Sequence, residues 1–329
     1  MQDNTQDNLE SPAPKKRSGL KTRAITSVFI AAVYVVVLLF TLPSVGPELQ
    51  GRQVLRFVYD IFVVLIALAA GLEMCRAFAN KYAKPLWVFV VLNVVVGFSV
   101  FYIAHFVISE RFFDGGQRYG IIAYFFALVA MFLSCLVFTM FSKKYSMNNV
   151  LTTMLVLIYP TALFVYMLSL NYLSSPALSN SAILLMFLLP AFSDTTAYIV
   201  GSIFKGPKLA PDISPKKTIS GAIGGVVGGI AAGAVVLLLS ELELSTLLPV
   251  GKISPELWLN ILHYMIIGAV GAAFVIVGDL IASYIKRQCG VKDFGKLLPG
   301  HGGVMDRVDS MVLSAGFLYA YFMIPTLFG

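Results

Sequence analysis

Long apolar runs limit how this chain can fold more than any other feature of its sequence. About nine stretches of 18 or more mostly apolar residues occur within its 329 residues. Roughly 20 helical residues cross the hydrocarbon core of a bilayer, whereas a membrane β-barrel would show short alternating segments. The chain is 58% hydrophobic and 12% charged, against about 45–50% and about 25% in soluble domains. The sequence therefore excludes a soluble globular enzyme and predicts an all-α, polytopic integral membrane helix bundle.

Polar segments separate the predicted spans. We place the nine spans at 25–42, 55–73, 86–108, 119–141, 150–172, 181–204, 219–240, 259–282 and 309–328. Residues 1–24 are polar and become basic towards their end, which predicts a disordered tail. No small-residue cleavage site follows Leu42, so we expect an uncleaved first helix.

The basic residues are distributed unevenly across the predicted membrane. With nine spans, 19 of the 24 Lys and Arg residues fall in the N-terminal tail and the loops on its side, and 5 fall on the other side. The positive-inside rule makes the richer side cytoplasmic. The net charge of +7 then follows from topology, and we expect no nucleic-acid partner. Cys75, Cys135 and Cys289 lie far apart and predict isolated thiols.

Small residues form a regular pattern in the seventh span. Glycine recurs every four residues at Gly221, Gly225, Gly229 and Gly233, and Gly224 and Gly228 form a second row. Small residues at this spacing let helix backbones approach closely. The pattern favours tight packing within one chain and leaves open a dimer face or a lipid-accommodating groove.

Two acidic residues in the second span have an ordinary structural interpretation. Asp60 lies one helical turn after Arg56, and Glu73 lies three residues before Arg76. Residues three and four apart are neighbours on a helix surface. We therefore expect Asp60 to pair with Arg56 and Glu73 to pair with Arg76.

Asp194 and Asp279 lie inside later spans, where an ionisable residue is a functional hypothesis by default. Asp194 follows Pro190, which should kink its helix. The next loop, 205–218, is stiffened by three prolines and carries the adjacent bases Lys216 and Lys217. These bases suit a phosphate chain, although topology or contact with lipid headgroups would also explain them.

Asp279 begins a polar helical face that leads into a glycine-rich loop. Ser283, Lys286 and Arg287 follow it at positions that share one face of a helix. The loop places His301 among three glycines and a proline, so its backbone can approach a ligand closely.

Acids and bases thus gather on the predicted cytoplasmic side. The set comprises Asp279, Asp306 and Asp309 with Lys216, Lys217, Lys286, Arg287, Lys292 and Arg307. Oxygen-only ligands beside bases fit Mg²⁺ held jointly by carboxylates and substrate phosphates. A salt-bridged cluster at helix ends is the alternative. The sequence contains no Cys/His cluster for zinc and no Walker-type or dinucleotide-binding motif.

The same residues resemble a known family signature. The segment from Ser283 to Asp309 is similar to the signature of the phosphatidate cytidylyltransferases, or CDP-diacylglycerol synthases, at each fixed position. Those positions include Lys286, Arg287, Lys292, Asp293, Gly295, Leu298, Pro299, His301, Gly302, Gly303, Asp306 and Arg307. Ser193-Asp194-Thr195-x-Ala197-Tyr198 and Ser214-Pro215-Lys216-Lys217-Thr218 also resemble segments of that family.

The resemblance implies a reaction and its partners. Phosphatidate in the bilayer would react with CTP to give CDP-diacylglycerol and pyrophosphate, with Mg²⁺ as cofactor. A monovalent cation such as K⁺ and a homodimer stay open. The chain would be a multi-pass protein of the cell (inner) membrane with a cytoplasmic active site, divided into the tail at 1–24, N-terminal transmembrane helices at 25–180 and a catalytic transmembrane region at 181–329.

The resemblance also gives individual residues their expected roles. The metal ligands are Asp279 and Asp306, with Asp194 and Asp309 as further ligands or supports. The catalytic group is Asp279, Asp306, Lys217, His301 and Arg307. The expected substrate-binding residues are Ser214, Lys216, Lys217, Thr218, Ser283, Lys286, Arg287 and Lys292. His301 either polarises an oxygen or shapes the loop.

Two other functions compete with this interpretation. A CTP-dependent lipid kinase would also use CTP at a membrane, but it would release CDP in place of pyrophosphate. An ion-coupled transporter would use Asp60, Asp194 and Asp279 as a relay, but it leaves the cytoplasmic lysines and the glycine-rich loop unexplained.

Overall fold

The computed structural model describes residues 49–108, 116–242 and 250–323. Its helices are α1 Leu49–Ala79, α2 Trp87–Leu92, α3 Phe98–Tyr102, α4 Gly116–Phe141, α5 Met147–Ile158, α6 Phe164–Ser169, α7 Pro176–Phe204, α8 Ile219–Glu241, α9 Leu257–Gln288 and α10 Met305–Met323. Two π-helical turns, Asn93–Gly97 and Ile103–Ile108, continue α2 and α3, and 3-10 turns at Thr161–Leu163 and Leu170–Tyr172 flank α6. The predicted all-α class is confirmed.

Seven helical segments of the described ranges are long and apolar enough to cross a membrane. They are Arg56–Ala79, Trp87–Val107, Tyr119–Phe141, Met147–Tyr172, Pro176–Phe204, Ile219–Glu241 and Leu257–Gln288. Each overlaps a predicted span, but the predicted count of nine is not confirmed. The tail at 1–24 and the span at 25–42 lie outside the described residues. The span at 309–328 corresponds to α10, whose first turns carry three charged residues and therefore make it less apolar than the other seven.

The glycines of α8 pack against helices of the same chain. A Cβ atom on Gly228 would lie 2.5 Å from the carbonyl oxygen of Phe192 in α7. One on Gly233 would lie 2.3 Å from the carbonyl oxygen of Tyr264 in α9. Larger side chains would therefore push α8 away from both neighbours. The structure confirms the favoured prediction, packing within the chain.

Local capping sets the start of the two helices that flank the loop at 205–218. Ser175 caps α7 by accepting a hydrogen bond from the backbone N–H of Leu178, with Pro176 at the first helical position. Thr218 caps α8 by accepting from the backbone N–H of Gly221 at 3.1 Å. Capping side chains satisfy N–H groups that a helix start leaves unpaired.

The segment between α7 and α8 forms a short hairpin, which the sequence analysis treated as a stiffened loop. Strands β1 (Lys208–Ala210) and β2 (Ser214–Thr218) pair antiparallel. The chain leaves α7 through Gly206, whose φ of 101° suits glycine. The hairpin pairs Lys208 with Thr218 and so carries the two adjacent lysines to the start of α8.

Asp60 has different partners from the predicted Arg56. Its carboxylate accepts hydrogen bonds from the Nδ2 of Asn171 at 3.0 Å and from the hydroxyl of Tyr172. The guanidinium of Arg56 lies over the ring of Tyr172, 5.8 Å from its centroid. Arg56 therefore interacts with Asp60 only electrostatically. Residues 111 and 112 positions away supply the hydrogen bonds through tertiary packing, which helix spacing cannot reveal.

The three cysteines are free, as predicted, and all three are buried. Burial raises the pKa of the Cys289 thiol to about 11. A thiol with a raised pKa is mostly protonated near neutral pH and is therefore a poor nucleophile.

Candidate functional site

A cavity of about 350 Å³ lies between α7, the hairpin, α8 and α9. Its polar lining includes Asp194 of α7 and three consecutive residues of β2, Lys216, Lys217 and Thr218. Much of the remaining wall is apolar. The cavity therefore joins two bases and one acid that the sequence analysis assigned to a single site.

Lys217 and Asp279 form an ion pair beside this cavity. The Nζ of Lys217 lies 2.6 Å from the Oδ2 of Asp279 in α9, and both side chains are partly exposed. The hydroxyl of Ser283 donates to the other oxygen, Oδ1, of Asp279 at 3.3 Å. The predicted helical face is thus confirmed for Asp279 and Ser283, and the hairpin supplies a base to it.

Lys286 links α9 to the first turns of α10. Its Nζ lies 3.0 Å from the Oδ1 of Asp306 and 3.7 Å from the Oδ2 of Asp309. It also lies over the ring of Phe294, 5.3 Å from the centroid. Asp309 is buried and accepts a hydrogen bond from the backbone N–H of Ser310 at 2.8 Å.

The carboxylate of Asp306 folds the glycine-rich loop onto the start of α10. Its Oδ2 accepts hydrogen bonds from the backbone N–H groups of Phe294 and Gly303, each at 2.9 Å. With Lys286 on its Oδ1, both oxygens have protein partners. Asp306 therefore has a structural role in this arrangement, and its assignment as a metal ligand stays a prediction.

The glycine-rich loop makes a tight turn around His301. The backbone N–H of Leu298 donates to the carbonyl of Gly302 at 2.9 Å, and that of His301 donates to the carbonyl of Leu298 at 2.9 Å. Gly300 and Gly302 have φ of 78° and 84°, a region that L side chains rarely adopt. His301 is half-buried in this turn.

Close packing at Gly278 brings α9 and α10 together next to Asp279. A Cβ atom on Gly278 would lie 3.0 Å from the carbonyl oxygen of Asp309 and 3.2 Å from the Cα of Ser310. The absence of a side chain at Gly278 therefore lets the carboxylates of Asp279 and Asp309 come close enough to interact electrostatically. Asp194 also interacts with Asp279 in this way.

Glu73 is the site-supporting residue that the sequence analysis missed. Its Oε2 accepts a hydrogen bond from the backbone N–H of Met305 at 2.9 Å, across 232 positions of sequence. A Cβ atom on Gly295 or Gly303 would lie within 2.3 Å of the Glu73 carboxylate. The predicted pairing with Arg76 is present only as an electrostatic interaction, because the carboxylate turns into the glycine-rich loop. The available signal was a glutamate at the end of a long apolar run.

Three other predicted residues lie on elements around the site, namely Arg287 on α9, Arg307 on α10 and Ser214 on β2. Arg287 donates from its Nε to the carbonyl oxygen of Ile213 at 3.3 Å and so ties α9 to the hairpin. Arg307 is exposed at the start of α10 and interacts electrostatically with Asp194. Ser214 pairs with Ala210 within the hairpin.

Lys292 is exposed in the segment after α9. In the part of the chain that the structure describes, no ion pair joins it to the acids of the site. The structure therefore does not bring Lys292 into the cluster, although its predicted role stays a prediction.

A family model and individual relatives both link this chain to known proteins. The model of the cytidylyltransferase family matches residues 21–324. The phosphatidate cytidylyltransferase of Rickettsia prowazekii (strain Madrid E) is 38% identical over 170 residues, which cover 52% of this chain and 68% of that protein. The enzyme of the same name from Rickettsia typhi (strain ATCC VR-144 / Wilmington) is 39% identical over 144 residues, which cover 44% and 59%.

A third relative comes from another genus. The phosphatidate cytidylyltransferase of Brucella abortus biovar 1 (strain 9-941) is 43% identical over 141 residues, which cover 43% of this chain and 46% of the relative. The chain thus aligns with about half to two thirds of the length of these three relatives.

Proposed function

The chain belongs to the cytidylyltransferase family, and on that premise we propose that it transfers CMP from CTP to phosphatidate, releasing pyrophosphate. The observation that carries this proposal is the ion pair of Lys217 and Asp279 beside a cavity that Asp194 and Lys216 also line. Bases bind phosphate oxygens through charge-assisted hydrogen bonds. The lipid acceptor is supported by the names of the relatives and by the multi-pass membrane character of the chain.

The hairpin is well placed to hold the triphosphate of CTP. Lys216 and Lys217 lie on β2, and Thr218 adds a hydroxyl at the start of α8. A triphosphate that draws Lys217 towards itself would release Asp279 from its ion pair. We propose that these three residues, with Ser214 at the base of the strand, bind the nucleotide.

The reaction needs charge neutralisation more than proton transfer. A phosphate monoester has its second pKa near 6, so phosphatidate is already largely anionic at neutral pH. A phosphatidate oxygen attacks the α-phosphorus of CTP, forming one P–O bond while the bond to the β-phosphate oxygen breaks. Positioning the two polyanions and offsetting their repulsion then supply most of the acceleration.

Mg²⁺ fits the chemistry of the donor set. Asp194 and Asp279 offer carboxylate oxygens close enough to interact with each other. Among the described residues, no three His, Cys, Asp or Glu side chains are arranged to hold a metal ion. Mg²⁺ is commonly bound by one or two carboxylates together with substrate phosphates. We propose Asp279 as the main ligand, with Asp194, Asp306 and Asp309 near it; the ion would neutralise phosphate oxygens.

The other bases are proposed to hold phosphatidate or the leaving pyrophosphate. Lys286 and Arg307 carry their charge at the start of α10, and Arg287 carries its charge at the hairpin. Lys292 extends this basic surface. His301, in its tight turn, either polarises a phosphate oxygen or keeps the loop in shape.

Orientation and assembly complete the proposal. The positive-inside distribution supports a cytoplasmic active site in the cell (inner) membrane, since CTP would arrive from that side. The family resemblance also leaves open a second cation such as K⁺ and a homodimer, and both stay proposals.

Product identity tests the proposed function most directly. Detergent-purified protein would be given CTP, Mg²⁺ and phosphatidate. A parallel reaction would contain diacylglycerol in place of phosphatidate, so that the acceptor is an alcohol. We expect pyrophosphate and CDP-diacylglycerol with phosphatidate only. Release of CDP with the alcohol would identify a lipid kinase instead. Absence of both products from folded protein would refute a nucleotide-transfer function.

A further inference from the structure

A second cavity, of about 580 Å³, lies at the end of α1 and the start of α2. Its lining includes Leu72, Cys75 and Arg76 of α1, Lys84 of the connecting segment and Trp87 of α2. None of these residues lines the cavity between α7 and α9. The two cavities are therefore separate, and nothing in the proposed reaction uses this one.

The charge of this cavity is positive. Arg76 and Lys84 are both exposed, and neither forms an ion pair within the described ranges. Glu73, one turn before Arg76, interacts with it electrostatically but directs its carboxylate into the glycine-rich loop. No carboxylate belongs to the described lining. The cavity thus presents two cations to whatever enters it.

The cavity also lies where a lipid headgroup would be found. The helical segments that are long and apolar enough to cross a membrane end at Ala79 and resume at Trp87, and Trp87 is 51% exposed. Tryptophan is enriched at the membrane–water interface. Leu72 extends the wall towards the apolar part of α1. A ligand with an anionic head and apolar chains matches this arrangement of charge and apolar surface.

The connecting segment is held in place from two sides. The Nδ2 of Asn149 donates to the carbonyl oxygen of Lys84 at 2.9 Å, and the backbone N–H of Leu86 donates to the hydroxyl of Thr153 at 2.8 Å. Both partners belong to α5. The backbone that carries Lys84 is therefore positioned before any ligand binds, which lowers the entropy lost on binding.

We propose that this cavity binds the phosphate headgroup of an anionic phospholipid. Arg76 contacts the phosphate with its planar guanidinium, Lys84 adds a second positive charge, and Trp87 lies against the glycerol and the first part of the acyl chains. Basic pockets between membrane helices bind lipid headgroups by this chemistry. The proposal does not rest on the proposed function, because the cavity shares no lining residue with the catalytic one.

Lipid titration followed by native mass spectrometry tests the proposal. Full-length protein in detergent would be titrated with phosphatidylglycerol or with phosphatidylcholine. For the double variant Arg76→Gln/Lys84→Gln we expect about 30-fold weaker binding of phosphatidylglycerol, since each cation near an anionic surface contributes about fivefold. Phosphatidylcholine binding should be unchanged.

Matched variants keep the test specific. Lys143→Gln/Lys144→Gln removes the same charge from two exposed lysines outside this cavity, so it should leave phosphatidylglycerol binding unchanged. Arg76→Lys keeps the charge and should retain most of the binding. Size-exclusion profiles and melting temperatures in detergent would check folding.

Three results would overturn the proposal. They are equal losses in both double variants, equal binding of phosphatidylcholine and phosphatidylglycerol by the native protein, and full competition by inorganic phosphate, which would show a site for a soluble anion.

Discussion

The two ends of α8 each lie beside a lysine–carboxylate pair, yet their surroundings differ. At the hairpin end, Lys217 pairs with Asp279 at 2.6 Å next to a cavity. At the other end, Lys252 pairs with Glu241 at 2.5 Å. The Nδ2 of Asn260 donates to the second oxygen of Glu241 at 2.7 Å, so protein partners hold both oxygens of that acid.

The difference shows why an ion pair alone does not identify a site. Both acids have a protein donor on their second oxygen, Ser283 at Asp279 and Asn260 at Glu241. The difference lies at the Lys217 pair, where Asp194 and Lys216 place further charges on the wall of a cavity. We therefore expect substitutions at the hairpin end to change catalysis and substitutions at the far end to leave it nearly unchanged.

Asp279→Asn should produce the largest effect. Removing one preorganised group that stabilises the reacting charges typically costs about 100-fold or more in turnover. Pyrophosphate release by detergent-purified protein at saturating CTP would measure it. Glu241→Gln is the matched control and should keep near-native turnover. Native turnover in a folded Asp279→Asn variant would show that Asp279 is not part of the site. The two ends of α8 would then not differ in function.

Glu73→Ala tests an acid that supports the site from another helix, α1. The change leaves the backbone N–H of Met305 unpaired, which should destabilise the protein by about 1–3 kcal/mol. We expect a lower melting temperature in detergent together with lost activity. Glu73→Gln keeps an acceptor and should recover part of both. If Glu73→Ala melted like the native protein, Glu73 would not anchor the loop.

Gly233→Ala tests whether the far end of α8 matters only for packing. The new methyl group would meet the carbonyl oxygen of Tyr264, and such overpacking typically costs about 1–3 kcal/mol. We expect a lower melting temperature with an unchanged KM for CTP. Gly316→Ala is the control, since its nearest neighbour atom would be 3.5 Å away. A raised KM for CTP in Gly233→Ala would contradict a purely structural role.

Lys217→Ala should have the smallest of these effects, confined to the nucleotide. Loss of one charged hydrogen bond to phosphate costs about tenfold, and we expect it as a higher KM for CTP with an unchanged KM for phosphatidate. Lys252→Ala should change neither constant. Unchanged CTP dependence in Lys217→Ala would place the hairpin outside the nucleotide site.

Local sequence patterns were sufficient to predict the all-α membrane class and the polar face of α9. Apolar runs gave the class because hydrocarbon requires every backbone hydrogen bond to be satisfied within the segment. Helical spacing gave Asp279 and Ser283 on one face, and the structure joins them at 3.3 Å. The signature around His301 predicted the family, which the match over residues 21–324 confirms.

Tertiary structure decided which groups meet. Asp60 is hydrogen-bonded to Asn171, Glu73 is hydrogen-bonded to the backbone of Met305, and Lys217 forms an ion pair with Asp279. Each pair is separated by at least 62 positions of sequence, and helix periodicity orders only neighbours within a few turns. The sequence by itself determined the all-α membrane class, the polar face of α9 and the residue types at the site. At the site, the packing of α8 through its glycines and of α9 against α10 at Gly278 set the distances, because contacts between helices depend on how closely two backbones can approach.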